Sequence, residues 1–102
     1  MQEPTYLVLV ALGEKPLHGY GIMKAVETLS DGRVKIGAGT LYAALDRLAE
    51  LDQVELDREE TEGGRVRRYY RLTRTGRQVL AEETAVRSRY VARALAILEG
   101  KG

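Results

Sequence analysis

The sequence contains no cysteine, tryptophan or phenylalanine, and it has only two prolines and one histidine. Without cysteine the chain can form neither a disulfide nor a thiolate metal site, and His18 has no second histidine with which to share a metal ion. No histidine, carboxylate and nucleophile stand at the spacing of a catalytic constellation. We therefore expect a protein that is not an enzyme and that uses no cofactor or metal.

Long hydrophobic runs are also missing. The apolar run Tyr6–Leu12 is too short to span a bilayer, and no basic leader or small-residue cleavage site accompanies it. We therefore expect a soluble cytoplasmic protein without a membrane partner. A chain of 102 residues predicts a single unit with a modest core, for which self-association would add stability.

The total charge is small but its distribution is uneven. The formal net charge of +1 lacks the strongly basic balance of many nucleic-acid-binding proteins. Seven acidic residues and one arginine lie between Glu50 and Glu62, whereas six arginines and no acidic residue lie between Arg65 and Arg77. Clustered arginines repel one another, and a polyanion would relieve that repulsion.

Proline and glycine positions predict two helices in the first third of the chain. Pro4 suits the first turn of a helix and Gly13 its end, so we expect a helix over Thr5–Leu12. Its short apolar run is equally compatible with a buried strand, because such a run does not reveal its period. After a turn, a second helix is expected over Tyr20–Leu29, with its first tyrosine half-buried and His18 as a cap-like group before it.

The stretch after Gly39 has the spacing of a third helix with one narrow apolar stripe. Gly37 and Gly39 weaken the helix and Thr40 can cap it, so its start is sharply marked. A short helix with a small, polar start can approach the floor of the DNA major groove. The stripe comprises Leu41, Ala44, Leu45, Leu48 and Leu51. The opposite side comprises Thr40, Tyr42, Ala43, Asp46, Arg47 and Glu50.

Two segments of alternating polarity predict a β-hairpin after this helix. We expect Val54–Asp57 to pair with Val66–Leu72 around a tip formed by Gly63 and Gly64. The expected pairs are Val54 with Leu72, Glu55 with Arg71, and Leu56 with Tyr70. The expected core-facing side chains are those of Val66, Tyr70 and Leu72.

Glu55 is expected to neutralise Arg71 at the hairpin base, which leaves unpaired arginines nearer the glycine tip. Of these, Arg65, Arg67 and Arg68 suit contact with a phosphate backbone or a minor groove. A solvent-facing hairpin that carries charge for solubility is the alternative. We expect the acidic run Asp57–Glu62 to point away from a duplex or to pair with the arginines in the free protein.

The last quarter of the chain predicts one long helix. No proline, and no glycine after Gly76, interrupts it, so a helix of roughly 25 residues is expected from a cap at Thr75 to about Glu99. Its apolar stripe broadens beyond what so small a body can cover, so we expect packing on a second copy, with the first helix beside it. The stripe comprises Val79, Leu80, Val86, Tyr90, Val91, Ala94, Leu95, Ile97 and Leu98.

Three blocks of sequence occur together in a fixed order. They are His18-Gly19-Tyr20-Gly21-Ile22, then Gly39-Thr40-Leu41-Tyr42 with Leu45, Arg47 and Leu48, then Arg68-Tyr69-Tyr70-Arg71-Leu72-Thr73-Arg74-Thr75-Gly76. In this order and spacing the chain resembles the PadR family of transcriptional regulators from about Leu7 to Val79. It departs from the family at Asp52-Gln53, where the family has glycine and a branched apolar residue in the turn after the recognition helix.

The resemblance implies a mostly α fold with a small β-hairpin. A winged helix-turn-helix DNA-binding domain is expected over residues 1–73, followed by a C-terminal dimerisation helix over residues 74–102 that packs on the same domain. The implied function is that of a ligand-responsive repressor that binds double-stranded DNA as a homodimer. Two recognition helices related by a two-fold axis would enter successive major grooves, so the operator is expected to be an inverted repeat.

The expected DNA contacts lie on the third helix and on the hairpin, which would be the wing of this fold. The expected effector site lies at the seam between the first and last helices of two copies. The third helix contributes Thr40, Tyr42 and Arg47 to bases or phosphates, with Gly39 for close approach. The wing contributes Arg65, Arg67 and Arg68 to phosphates. The seam, where the resemblance implies a small aromatic or hydrophobic effector, comprises Tyr6, Tyr90, Ala94 and Ile97.

A winged-helix protein-interaction module without specific DNA binding is the alternative that the modest net charge allows. It predicts an exposed apolar patch on the third helix, where Tyr42 is the only large apolar side chain, and no salt-dependent affinity for DNA.

Overall fold

The structure is a computed structural model that describes residues 1–100. Over that range it is mostly helical, with one small antiparallel sheet of strand order β1-β3-β2, which confirms the predicted fold class. In chain order the elements are α1 (Glu3–Glu14), β1 (Leu17–His18), α2 (Gly19–Leu29), α3 (Ala38–Glu50), β2 (Val54–Glu62), β3 (Arg65–Leu72) and α4 (Arg74–Leu98).

The predicted helix at the start of the chain is confirmed, and the strand alternative is wrong. Pro4 lies in its first turn, where a missing N–H costs no hydrogen bond. The helix extends two residues further at each end than predicted, and it turns Val8, Leu9 and Leu12 into the core.

The hydrophobic core lies where α1, α2, α3 and the base of the hairpin meet. Leu41, Leu45 and Leu48 of the predicted α3 stripe are buried, and Ala44 is half-buried. Leu51 is 55% exposed because α3 ends at Glu50, so its predicted place in the stripe is wrong. The core comprises Val8, Leu9, Leu12, Ile22, Val26, Leu41, Leu45, Leu48, Val54 and Leu72.

The turn predicted before α2 contains a short strand. In β1, Leu17 pairs with Tyr70 and His18 pairs with Tyr69, so the start of α2 is attached to the hairpin. His18 stands at the N-cap position of α2, but its side chain makes no capping hydrogen bond, so that part of the prediction is wrong. Tyr20 is 60% exposed rather than half-buried, because it lies on the outer side of the first turn of α2.

The predicted hairpin register is confirmed at its base, where Val54 pairs with Leu72 and Leu56 with Tyr70. A β-bulge between Leu56 and Arg58 then shifts the register, and both strands continue to the tip. The prediction that Val66 faces the core is wrong: its side chain is 61% exposed, because this part of the hairpin extends past the edge of the core.

The tip and the turn after α3 both depend on left-handed backbone. Gly63 and Gly64 have φ angles of 54° and 80°, as a tight hairpin turn requires. Asp52 has a φ of 59° at the position that ends α3, where glycine is the usual residue. Asp52 therefore adopts the left-handed conformation for which the family uses glycine, and it does so at a steric cost.

The first turn of α4 packs closely on the turn after α3. Thr73, not the predicted Thr75, caps the helix by accepting a hydrogen bond from the Gly76 amide at 2.9 Å. The Thr73 amide donates to the Gln53 carbonyl at 3.1 Å, and Gly76 is buried so close to that carbonyl that a side chain has no room. Within residues 1–100, no helix combines the length and the apolar character needed to cross a membrane.

We expect Gly76→Ala to lower the free energy of unfolding by roughly 1–3 kcal/mol, because the added methyl group would overlap the Gln53 carbonyl. Gly39→Ala is the matched control, since a methyl group there would meet nothing within 4 Å and alanine favours a helix. Urea unfolding at one protein concentration measures both. Equal midpoints for the two variants would contradict the packing account.

Asp52→Gly should raise the free energy of unfolding by roughly 0.5–1 kcal/mol, because glycine adopts the positive φ without steric cost. Asp46→Gly, inside α3, should instead lower it by up to about 1 kcal/mol. The comparison uses the same urea titration, and a destabilised Asp52→Gly protein would show that the aspartate side chain outweighs the strain.

Candidate nucleic-acid interface

The side chains on the outer side of α3 are exposed. Thr40, Tyr42 and Arg47 are exposed, and Arg47 makes no ion pair with any residue from 1 to 100. The N-cap of α3 is Gly37, so Thr40 lies inside the first turn and the prediction that it caps the helix is wrong. Gly39 faces open space, so no packing within the chain requires a glycine there.

The far end of the Tyr42 side chain lies against Gly19, although the residue is 46% exposed. Gly19, the first residue of α2, is buried beneath the tyrosine hydroxyl, and a side chain at Gly19 would overlap it. The ring therefore reaches from α3 across to the start of α2. Any side chain at position 19 would therefore require the Tyr42 side chain to move.

A groove runs between the start of α2, the outer side of α3 and strand β3. On its hairpin side, burial is the main cause that raises the pKa of Tyr70 above its usual value, and nearby Tyr42 and Asp46 raise it further. Arg68 opposes this shift. The groove is lined by His18, Gly19, Tyr20, Met23, Ala38, Tyr42, Asp46, Arg65, Val66, Arg67, Arg68 and Tyr70.

The groove brings together four of the predicted site residues, namely Tyr42, Arg65, Arg67 and Arg68. Gly39, Thr40 and Arg47 are not part of its lining and lie along α3. Sequence reasoning missed His18, Gly19 and Tyr70 as parts of this surface, and it placed Asp46 on the exposed side of α3 without giving it a role. One signal in the sequence could have identified His18 and Gly19. They lie in the first of the three sequence blocks, and the other two blocks supply α3 and the hairpin.

His18 links the start of α2 to the wing, which we define as β2, β3 and their tip (residues 54–72). Its Nε2 atom lies 3.0 Å from Nη1 of Arg67, and since a guanidinium can only donate, the imidazole nitrogen accepts. The ring lies 5.2 Å from that of Tyr69 and 6.4 Å from that of Tyr20. Its Nδ1 atom is buried without a hydrogen-bond partner in the described structure.

The wing arginines are paired more than predicted. Nε of Arg67 lies 3.2 Å from a carboxylate oxygen of Glu62, and Nε of Arg68 lies 3.3 Å from one of Glu59. The prediction that the arginines near the tip are unpaired is therefore wrong for Arg67 and Arg68. Arg65 has no ion-pair partner in the part of the chain that the structure describes. The predicted pairing of the acidic run with the arginines is confirmed.

The residues predicted for the seam lie in two different settings. The Tyr6 hydroxyl lies 2.8 Å from Oγ1 of Thr84, and the Arg87 guanidinium stacks on its ring at 4.0 Å. Tyr6 thus joins α1 to the middle of α4 within one chain. Tyr90 is 68% exposed further along α4, and Ala94 and Ile97 are exposed with it.

A second cavity, of about 550 Å³, lies between α1, α2 and the start of α4. It includes neither Tyr6 nor Tyr90, so it is separate from the residues predicted for the seam. It is lined by Val10, Ala11, Gly13, Glu14, Lys24, Ala25, Thr28, Leu29, Arg77 and Leu80.

The chain matches known proteins over most of its length. The model of the transcriptional regulator PadR-like family matches residues 8–82. An uncharacterised 37.1 kDa protein in transposon Tn4556 of Streptomyces fradiae is 46% identical over 77 residues, which cover 76% of this chain and 21% of that protein. The chain thus spans about a fifth of the length of that relative.

Solved structures share the fold. The smu.1704 protein of Streptococcus mutans UA159 superposes with a TM-score of 0.80 at 27% identity, covering 97% of this chain and 89% of that one. Bacillus subtilis PadR in complex with operator DNA gives a TM-score of 0.72 at 21% identity, covering 81% of this chain and 47% of that one, which is a likeness of fold. The sequence blocks, the winged-helix architecture and the family match agree, and the chain belongs to the PadR-like family of transcriptional regulators.

Proposed function

We propose that this protein is a sequence-specific repressor that binds an inverted-repeat operator as a homodimer. The observation that carries the proposal is the exposed outer side of α3 beside the wing, in a family of transcriptional regulators. Arg33 and Lys35, in the connection before α3, and Arg47 within it add cations that form no ion pair within residues 1–100. Such cations favour a phosphate backbone.

In this proposal α3 is the recognition helix. Its start is small, since Gly37, Ala38 and Gly39 carry at most a methyl group, and such a start can approach base edges closely. The open space around Gly39 supports this role, because close approach to DNA gives a reason for glycine where packing gives none. Thr40, Tyr42 and Arg47 then contact bases or phosphates.

The wing contributes backbone contacts from Arg65, Arg67 and Arg68 in the same proposal. Its tip lies at the far end of a hairpin whose base is fixed in the sheet, so the tip can follow a phosphate backbone. We assign DNA binding to residues 1–73 and dimerisation to the segment that follows, residues 74–102, which contains α4.

Dimerisation is supported by the apolar surface on the second half of α4. Val91, Leu95 and Leu98 recur at helical spacing and are all more than half exposed, beside the exposed Tyr90 and Ile97. A second copy would cover this stripe and place two α3 helices about one turn of DNA, roughly 34 Å, apart.

A small aromatic or hydrophobic effector is proposed at the seam that two copies would form from α1 and α4, near Tyr6, Tyr90, Ala94 and Ile97. A compound that changes operator affinity should then lose its effect in a Tyr90→Ala protein that still dimerises. An unchanged response in that protein would remove Tyr90 from the effector site.

A protein-interaction module is the second candidate, and exposed apolar side chains near α3 favour it. Besides Tyr42, the side chains of Tyr20 and Val66 line the groove and are more than half exposed, which the sequence did not predict. Such a patch is typical of protein-binding surfaces.

Selection from a pool of random duplexes separates the two candidates. We expect enrichment of an inverted repeat, with an affinity that falls steeply as salt rises. No enrichment and only weak binding at low salt would favour the protein-interaction module instead.

We expect Arg47→Ala to weaken binding to the selected duplex by about tenfold or more, because Arg47 is an unpaired cation on the proposed recognition helix. Arg93→Ala, which removes the same charge from α4, is the matched control and should change the affinity little. Fluorescence anisotropy with a labelled duplex measures both. Equal effects of the two substitutions would contradict the placing of DNA on α3.

Leu95→Glu should convert the dimer to a monomer at micromolar concentration, because it buries a charge in the proposed interface. Arg89→Glu lies on the opposite side of α4 by helical spacing and should leave the dimer intact. Sedimentation velocity measures both. A Leu95→Glu protein with the mass of the unmodified one would exclude this stripe as the interface.

A further inference from the structure

Each arginine of β3 stands directly opposite a glutamate of β2. The bulge at Asp57 sets this alignment for the arginines between Tyr69 and the tip. Without the bulge, those arginines would face different residues of β2. The four opposed pairs are Arg65 with Glu62, Arg67 with Glu60, Arg68 with Glu59, and Arg71 with Glu55.

The wing as a whole is electrically balanced. Strand β2 carries five carboxylates and one arginine, whereas β3 carries four arginines and no carboxylate, so the formal charge of the two strands is zero. Basic residues that would otherwise attract any polyanion are thus neutralised by a neighbouring strand.

Two of the five carboxylates, Glu59 and Glu62, pair with arginines of β3 in the half of the wing toward the tip. Arg58 hydrogen-bonds to Asp57 and to Glu60, both at 2.7 Å, so these two carboxylates already have a cation. Glu59 and Glu62 instead contact Arg68 and Arg67, at 3.3 and 3.2 Å. Both of these pairs are substantially open to solvent, so an incoming phosphate can reach them.

Arg67 and Arg68 point to opposite faces of the hairpin, because successive side chains of a strand alternate. A hairpin lying in a minor groove has a phosphate backbone on each side, so it can offer one arginine to each backbone. In each case the phosphate must displace a carboxylate that is already in place.

We propose that Glu59 and Glu62 are specificity-determining residues, which compete with DNA phosphates for Arg68 and Arg67 and so suppress binding to non-operator DNA. The proposal rests on the proposed function. When α3 holds an operator in register, the phosphates stand at fixed positions beside the arginines and displace the carboxylates. On a non-operator duplex the phosphates are not held in position, and the tethered carboxylates keep the arginines.

The test compares the Glu59→Gln, Glu62→Gln double variant with the unmodified protein, using the selected duplex and a scrambled duplex of the same length. Affinity for the scrambled duplex should rise about tenfold, and affinity for the operator about threefold or less, so that discrimination falls. The slope of log affinity against log salt for the scrambled duplex should steepen by about two units, one for each arginine released to a phosphate.

The matched control is the Glu3→Gln, Glu82→Gln double variant, which removes the same two charges from exposed positions on α1 and α4. It should leave the discrimination ratio unchanged. If both double variants gain affinity equally for the two duplexes, the effect is one of net charge and the proposal is overturned.

A second measurement controls for the possibility that the substitutions change the conformation of the wing. Arg67→Ala should cost more affinity for the scrambled duplex in a Glu62→Gln background than in the unmodified protein, because only there is Arg67 released from its carboxylate. Equal costs in the two backgrounds would overturn the proposal. If the unmodified protein binds the selected and scrambled duplexes equally, the proposed function fails. If it prefers the selected duplex and the Glu59→Gln, Glu62→Gln variant prefers it to the same degree, only this inference is refuted.

Discussion

The pairing of β3 with a strand on each side is the constraint on which the rest of the structure depends. On one side β1 ties the start of α2 to the hairpin through Leu17 and His18, and on the other β2 continues from the turn that ends α3. At its end, β3 leads into α4, whose first turn is fixed against the Gln53 carbonyl at Gly76. Strand β3 therefore sets the positions of α2 and α3, which border the groove, and of α4.

A chain with a net charge of +1 can still carry the DNA-binding surface that we propose for it. The charges are not evenly spread, because the carboxylates of β2 neutralise the arginines beside them, whereas Arg33, Lys35 and Arg47 near the proposed recognition helix stay unpaired within the described residues. Net charge alone therefore says little about which face binds a polyanion. Because the charges of the wing cancel, we propose that α3 selects the DNA sequence.

Elements that depend on local pattern could be predicted from the sequence, and elements that depend on distant contacts could not. Apolar periodicity indicated α2 and α3, Pro4 and Gly13 indicated α1, and an uninterrupted apolar stripe indicated α4. The Gly63-Gly64 tip with alternating strands predicted the register at the hairpin base. Strand β1 is too short to show alternation, and the bulge at Asp57 leaves no local signal. For the candidate site, the exposed residues of α3 followed from the apolar stripe opposite them, but the partners of Arg67 lie on two other elements.

The central claim is that α3 and the tip of the wing contact DNA, and amide shift mapping tests it most directly. Spectra of the isotope-labelled protein would be recorded with and without the selected duplex. The account predicts the largest shifts at Gly39, Thr40 and Tyr42 and around the tip at residues 63–68, with little change over residues 90–98. Shifts concentrated along the second half of α4, with none on α3, would contradict it.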